Sequence, residues 1–147
     1  MIDISSLKRR YTNAYGCEAC PVGTINSIER ELGVKLPEDF IEIATFYSGG
    51  LLGGMSHHEI ANIGVASTVV QETLRLRTAI GLNASFVVLA EPAGSLVVLS
   101  VLGEPAVIWC DATDAININS MSFENEADYW DCYARFFSYL LDREQIQ

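Results

Sequence analysis

The residues best equipped for chemistry are two cysteines near the start of the chain and two adjacent histidines further along. Cys17 and Cys20 have the CxxC spacing of a zinc knuckle or a redox-active pair. A closed zinc site needs two further ligands, and the sequence has no second CxxC. His57 and His58 would supply them only if the fold brought them to the cysteines. We therefore predict reduced thiols and no bound metal, and keep a site made of these four residues as the weaker alternative.

The histidine pair is followed by Glu59, which places a carboxylate beside two imidazoles. The pattern lacks the HExxH spacing that puts two histidines on one face of a helix. We therefore predict that His57 and His58 lie in an exposed, glycine-rich loop, LLGGMSHHE. A serine nucleophile is disfavoured as well, because the chain has no GxSxG motif. No catalytic residue and no cofactor are predicted.

Acidic residues form the most pronounced pattern in the sequence. The formal net charge is −10, and no Lys or Arg occurs between Arg77 and Arg135. The same interval contains these carboxylates: Glu91, Glu104, Asp111, Asp114, Glu124, Glu126, Asp128 and Asp131. Nucleic acid is disfavoured as a partner, since phosphate binding needs clustered basic residues. Complementary charge instead favours a cationic protein partner.

A partner-binding surface is predicted at the start of the last helix, formed by Glu124, Glu126, Asp128 and Asp131 together with Asp111, Asp114 and Trp130. Acidic residues in the first turns of a helix also complement its dipole, which explains any single one of them without a partner. Asp111 and Asp114, in CDATD, could coordinate a divalent ion, but a turn between strands explains them better. Trp130 is a candidate interface anchor, whereas Trp109 is expected in the core.

The first half of the chain has the boundary residues of consecutive helices. A helix is predicted in the first dozen residues, followed by the CEAC loop. Thr24 is the expected N-cap of a second helix that ends at Gly33. Pro37 is expected at the first position of a third helix, which the Gly49 and Gly50 pair would end.

The second half changes from helical to strand-like periodicity. EIANIGV is read as a short strand, and a helix capped by Ser67 is expected to end at Gly81. The runs SFVVLAE, SLVVLSVLG, PAVIWCD and AININ are strand-length and separated by turn residues, as in antiparallel hairpins. Ser122 or Asn125 is expected to cap a long C-terminal helix that includes Trp130.

This order of elements predicts an α+β fold. Residues 1–147 would form a single domain with N-terminal helices, a mainly antiparallel central sheet and a long C-terminal helix. No apolar run approaches the ~20 residues that span a bilayer. The first residues also lack the apolar centre of a secretory signal, so a cytoplasmic protein is expected.

Residues 28–50, IERELGVKLPEDFIEIATFYSGG, resemble the signature of the SUKH superfamily. That group includes the yeast cell-wall synthesis regulator and many bacterial immunity proteins. The resemblance rests on the order and spacing of Ile28 and Glu29, Leu32 and Gly33, Leu36 and Pro37, Asp39 and Phe40, and Gly49 and Gly50. It extends over residues 24–141 and leaves residues 1–23, with the CEAC loop, outside.

The resemblance implies a non-enzymatic binding module without catalytic residues. The bacterial members imply an immunity protein, or antitoxin, that binds and neutralises a cognate polymorphic toxin such as a nuclease. A basic toxin domain would then be the partner of the acidic surface. Two alternatives remain: a regulatory or scaffolding domain that binds a host protein, and a small metal-dependent enzyme that uses His57, His58 and acidic residues.

Overall fold

Helices pack against both faces of one antiparallel sheet. The computed structural model describes residues 2–64 and 66–146. Within them the helices are α1 (Ile4–Tyr15), α2 (Thr24–Leu32), α3 (Glu38–Ile43), α4 (Val69–Ile80) and α5 (Tyr133–Ile146). The strands are β1 (Gly50–Leu52), β2 (Met55–His57), β3 (Phe86–Ala90), β4 (Ser95–Ser100), β5 (Val107–Asp111) and β6 (Asp128–Trp130). A 3-10 helix, Ala112–Ser120, follows β5. The predicted α+β architecture is confirmed.

The six strands lie side by side in chain order, and each neighbouring pair is antiparallel. β1 and β2 are joined by Gly53 and Gly54, with φ of 65° and 75°. A two-residue hairpin turn of this kind requires positive φ at both positions, which glycine adopts without strain. The segment LLGGMSHHE, predicted as a loop, is therefore largely a hairpin. Its Gly-Gly pair between apolar residues was the signal for that turn.

The sheet separates two apolar clusters. Alternate residues of β3 point to opposite faces, so Val87 and Leu89 join one cluster while Phe86 and Val88 join the other. The first cluster is larger and includes side chains of α1, α2, α3 and α5. The second includes Leu76 of α4 and residues of the 3-10 helix and of the segment that follows it. All five residues of β3 are buried for this reason.

The corner between α2 and α3 has the structure that Gly33 and Pro37 indicated in the sequence. Gly33 has the left-handed φ of 68°, and its N–H donates to the Glu29 carbonyl. The Glu29 carboxylate accepts the N–H of Leu36 at 2.8 Å, which holds the connection between the helices. Pro37 is the N-cap of α3, one position before the predicted place. The helix-corner-helix arrangement of residues 24–43 is confirmed.

The glycine pair that closes the signature does not end a helix. α3 ends at Ile43, and Gly50 begins β1. A Cβ on Gly49 would lie 2.5 Å from the His58 carbonyl oxygen, and its φ is 98°. Only glycine therefore lets the chain pass the backbone beside His58 and enter the hairpin.

Two predicted strands have a different structure. AININ lies within the 3-10 helix. The segment EIANIGV contains no strand over residues 59–64, although Glu59 forms an isolated parallel bridge with Thr68, and Val65 lies outside the described residues. Two helix boundaries also shift by one residue, because Gly23 and not Thr24 precedes α2, and Thr68 and not Ser67 caps α4.

The last helix starts later than its apolar pattern indicates. It begins at Tyr133, and the predicted caps Ser122 and Asn125 precede β6 instead. Asp128 to Trp130 pair with β5, since the Trp109 and Val107 positions offer an unpaired strand edge. Asp39 then accepts the N–H of Ala134 at 2.9 Å, which fixes the first turn of α5.

Candidate partner-binding site

The predicted acidic group lies on the edge of the sheet and not at the start of a helix. Glu124 and Glu126 lie in the segment before β6, Asp128 opens β6, and Asp131 follows it. All four side chains are exposed. Because Glu124, Glu126 and Asp128 lie away from the start of a helix, compensation of a helix dipole does not explain their charge.

Asp114, a predicted member of this surface, is buried with 1% exposure. Its carboxylate accepts the backbone N–H groups of Glu124 and Asn125, both at 3.0 Å, and the side-chain N–H of Asn117 at 3.2 Å. The N–H of Glu124, followed by that of Asn125, lowers the pKa of Asp114. Asp114 therefore cannot contact a partner. It holds in place the segment that presents Glu124.

Asp111 remains at the surface as the exposed last residue of β5. In the β5 and β6 pairing, Trp109 lies opposite Asp128. Continuing that register by two residues places Asp111 opposite Glu126. We call the carboxylates along this side of the molecule the acidic edge, formed by Glu104, Asp111, Glu124, Glu126, Asp128 and Asp131.

An open groove of about 610 Å³ lies at one end of β6, lined by Glu104, Pro105, Tyr129, Trp130, Asp131 and Arg135. It contains Trp130 and Asp131, which the sequence had singled out. It also contains Glu104, Pro105 and Tyr129, which the sequence pattern did not indicate. Tyr129 could have been predicted as a groove residue because it is next to Trp130 in the sequence. Glu104 could not, because only the pairing of β5 with β6 brings it to the groove.

Aromatic side chains hold β6 against α5. The Trp130 ring lies 4.8 Å from that of Phe136 and 5.1 Å from that of Tyr139, between centroids. Trp109 lies 6.4 Å from Trp130, and the Arg143 guanidinium carbon lies 5.8 Å from the Trp109 ring. Trp109 is half-buried against the larger core cluster, close to its expected place. Trp130, which lines the groove, is therefore packed against α5 and Trp109.

Most of the acidic edge lacks a compensating charge. Asp131 pairs with Arg135 at 3.0 Å. Among the described residues, Glu104, Glu124, Glu126 and Asp128 form no ion pair. Their charges therefore remain available to a cationic partner.

The structure does not assemble the zinc alternative. His57 is buried in β2, while the Sγ of exposed Cys17 lies 3.6 Å from the Thr45 carbonyl oxygen. Burial raises the pKa of the Cys20 thiol to about 11. In the described part of the chain, these four residues do not come close enough together to hold one ion. The prediction of an exposed loop is thus wrong for His57, because hairpin pairing turns that side chain into the core.

His58 belongs to a different cluster. Within residues 2–64 and 66–146, the only group of His, Cys, Asp and Glu side chains close enough for one ion is His58, Glu72 and Glu91. Arg75 donates to Glu91 at 2.7 and 2.8 Å and to Glu72 at 2.7 Å. Its guanidinium already neutralises both carboxylates and would repel a metal ion. The cluster is therefore an ion-pair network that joins α4 to the end of β3.

None of the helices in the described part of the chain is long and apolar enough to cross a bilayer.

The fold is an α+β domain with a mainly acidic surface beside a groove lined by Tyr129 and Trp130. The family model described as SMI1-KNR4 cell-wall (SUKH_5) matches residues 4–130, and the chain belongs to this family. The match confirms the SUKH resemblance, and it includes α1 and the CEAC loop, which the sequence signature had left out. No curated protein matches the chain. The family is generally non-catalytic, which is consistent with a binding module.

Proposed function

We propose that this protein is an immunity protein that binds and neutralises a basic toxin domain through its acidic edge. The observation that carries the proposal is the set of exposed carboxylates, Glu104, Glu124, Glu126 and Asp128, that have no ion-pair partner among the described residues. Like charges held close together repel one another and destabilise the compact state. A cationic partner would remove that repulsion on binding.

The charge distribution supports recognition of a protein that itself binds an anionic substrate. A toxin such as a nuclease needs a cationic cleft for phosphate. The acidic edge would compete for that cleft and block access without any chemistry of its own. Its field would also speed the encounter, an effect that weakens as salt screens it.

The groove beside the acidic edge supplies the apolar part of the contact. Trp130 and Tyr129 line it, and both residue types are frequent among the residues that dominate binding energy. Asp114 and the aromatic contacts of β6 hold the surface in shape before binding. Such preorganisation lowers the entropy lost on association.

The proposal predicts a toxin gene beside the gene for this protein, and the toxin domain which that gene encodes is the partner used in the test. The triple variant Glu124→Lys, Glu126→Lys and Asp128→Lys should bind that domain about 100-fold more weakly at low salt, because attraction becomes repulsion. It should also fail to protect cells that express the toxin. The measurements are surface plasmon resonance at about 50 mM and about 500 mM NaCl, where the difference should shrink with screening, and a growth assay.

The matched control reverses three exposed carboxylates on α2 and α3, namely Glu31, Glu38 and Glu42. This variant has the same net charge as the first, and it should bind and protect as the unmodified protein does. Equal loss in both variants would mean that only net charge matters. Unchanged binding by the Glu124, Glu126 and Asp128 variant would refute the role of the acidic edge, and failure of the unmodified protein to bind or protect would refute the immunity role.

A further inference from the structure

β6 is the last strand of the sheet, so one of its sides has no neighbouring strand within residues 2–64 and 66–146. The backbone groups on that side are identified by following the alternation of hydrogen bonds across the sheet. Ser100 N–H donates to the Ala106 carbonyl, and Ala112 N–H donates to the Gly94 carbonyl. Ser100 and Ala112 therefore face the partner strand in the β4 and β5 pair. Since alternate residues face alternate sides, Ile108 also faces β4.

The same alternation fixes the orientation of β6. If Ile108 faces β4, its neighbours Val107 and Trp109 face β6, where they lie opposite Trp130 and Asp128. The N–H and C=O of Asp128 and Trp130 then point toward β5. Those of Tyr129, between them, point outward from the sheet.

The side chains of β6 lie on both faces of the sheet, where they could contact an added strand. Trp130 packs on α5, whereas Tyr129 lies on the opposite face, with its ring 6.4 Å from that of Phe123. Both side chains line the groove. An extended chain laid along β6 would place alternate side chains on these two faces, beside Trp130 and beside Tyr129.

We propose that an extended, basic segment of a protein partner adds to β6 as a further antiparallel or parallel strand, with the N–H and C=O of Tyr129 as its hydrogen-bonding anchor. The inference rests on the proposed function and specifies how the acidic edge binds. The charges around β6 determine which kind of strand could bind at this edge. Four carboxylates, Glu104, Glu126, Asp128 and Asp131, flank β6 with a single guanidinium, Arg135. This edge therefore repels a second copy of itself and attracts a strand rich in Lys or Arg.

The test uses a short capped peptide of alternating lysine and valine as the probe. Its control is the same peptide N-methylated at every residue, which keeps the charges and removes the backbone donors. The unmodified peptide should bind about fivefold more tightly at about 50 mM salt, because only its N–H groups can donate to the Tyr129 carbonyl. It should also slow hydrogen exchange at the Tyr129 amide, as measured by nuclear magnetic resonance.

A pair of variants separates the backbone of Tyr129 from its side chain. Tyr129→Pro removes the outward N–H that would donate to a peptide carbonyl, so it should bind the unmodified peptide about fivefold more weakly than Tyr129→Ala, which keeps that N–H. If Tyr129→Pro does not fold, the comparison of the two peptides on the unmodified protein still decides the question.

Equal binding of both peptides, or binding without protection of the Tyr129 amide, would overturn strand addition. Attraction by charge alone would then explain the interaction, and the proposed function would stand. Failure of both peptides to bind would also overturn strand addition. The proposed function would in that case be judged by charge reversal against the toxin domain, which does not depend on how the backbone pairs.

Discussion

Two polar side chains, Tyr47 and His57, lie side by side in the core, with ring centroids 6.3 Å apart. Among the described residues, neither the Tyr47 hydroxyl nor Nε2 of His57 has a hydrogen-bond partner. Burial lowers the pKa of His57 from 6.5 to about 4, although a hydrogen bond to the backbone of Leu52 opposes the shift. His57 is therefore neutral at pH 7 and packs between Tyr47 and Phe136 as an aromatic core residue.

This burial predicts a specific loss of stability in acid. Between pH 6.5 and about 4 the unfolded chain binds a proton at His57 and the folded chain does not, so the free energy of unfolding falls as pH falls through that window. The contribution of His57 should reach about 3 kcal/mol at the acid end. The measurement is urea unfolding from pH 7 to pH 4.

His57→Phe provides the control, because it keeps a buried ring and cannot be protonated. Carboxylates also titrate in acid, so the informative quantity is the difference in pH dependence between the two proteins. If both lost stability equally from pH 6.5 to pH 4, His57 would not be the titrating group.

The helices of the signature act as supports for other elements. Asp39 of α3 accepts the N–H of Ala134 in the first turn of α5, and the Phe40 ring lies 4.7 Å from that of Tyr133. Arg77 of α4 donates to the Leu32 carbonyl at 2.8 Å, at the end of α2. The signature thus positions α5, and α5 in turn supports β6 through Trp130.

Asp39 should consequently contribute more to the free energy of unfolding than the neighbouring Glu38. Asp39→Ala leaves the N–H of Ala134 without its acceptor and should lower the free energy of unfolding by about 1–2 kcal/mol. Glu38→Ala, at an exposed position in the same turn, should cost less than about 0.5 kcal/mol. Chemical denaturation of both variants gives the comparison, and equal losses would contradict a capping role for Asp39.

Charge is divided unevenly over the whole molecule. The basic residues near the N-terminus, Lys8, Arg9 and Arg10, lie on α1, and Arg30 lies on α2. No Lys or Arg occurs in residues 78–134, which contain β3 to β6. Among the described residues, only Arg135 forms an ion pair with the acidic edge, at Asp131, so repulsion among its other carboxylates remains.

That repulsion predicts that salt stabilises the protein. Raising NaCl from about 20 mM to about 500 mM should raise the midpoint of thermal unfolding, because screening weakens repulsion among carboxylates. The rise should be smaller for the Glu124→Lys, Glu126→Lys and Asp128→Lys variant than for the variant reversed at Glu31, Glu38 and Glu42. Scanning calorimetry measures both, and equal salt dependence would show that repulsion is not concentrated at the acidic edge.

Local chemistry accounts for the features that the sequence predicted correctly. Gly33 adopts the left-handed φ that ends α2 without strain, and the ring of Pro37 fixes φ before α3, so the corner between α2 and α3 follows from the residues themselves. The apolar runs of β3, β4 and β5 likewise predict strands, because they match buried positions on both faces. The order of these elements predicted the α+β class, and the signature in residues 28–50 predicted the family.

Tertiary pairing decided the features that the sequence missed. Residues 128–130 have a helix-compatible pattern, yet they form β6 because β5 offers an open edge that their backbone can satisfy. Asp114 is buried because two N–H groups of a distant segment need an acceptor, and His57 is buried because β2 pairs with both β1 and β3. The acidic composition of the second half and the helix corner thus follow from the residue types alone. Which carboxylates face solvent depends instead on burial and strand pairing, because these bring together residues from separate parts of the chain.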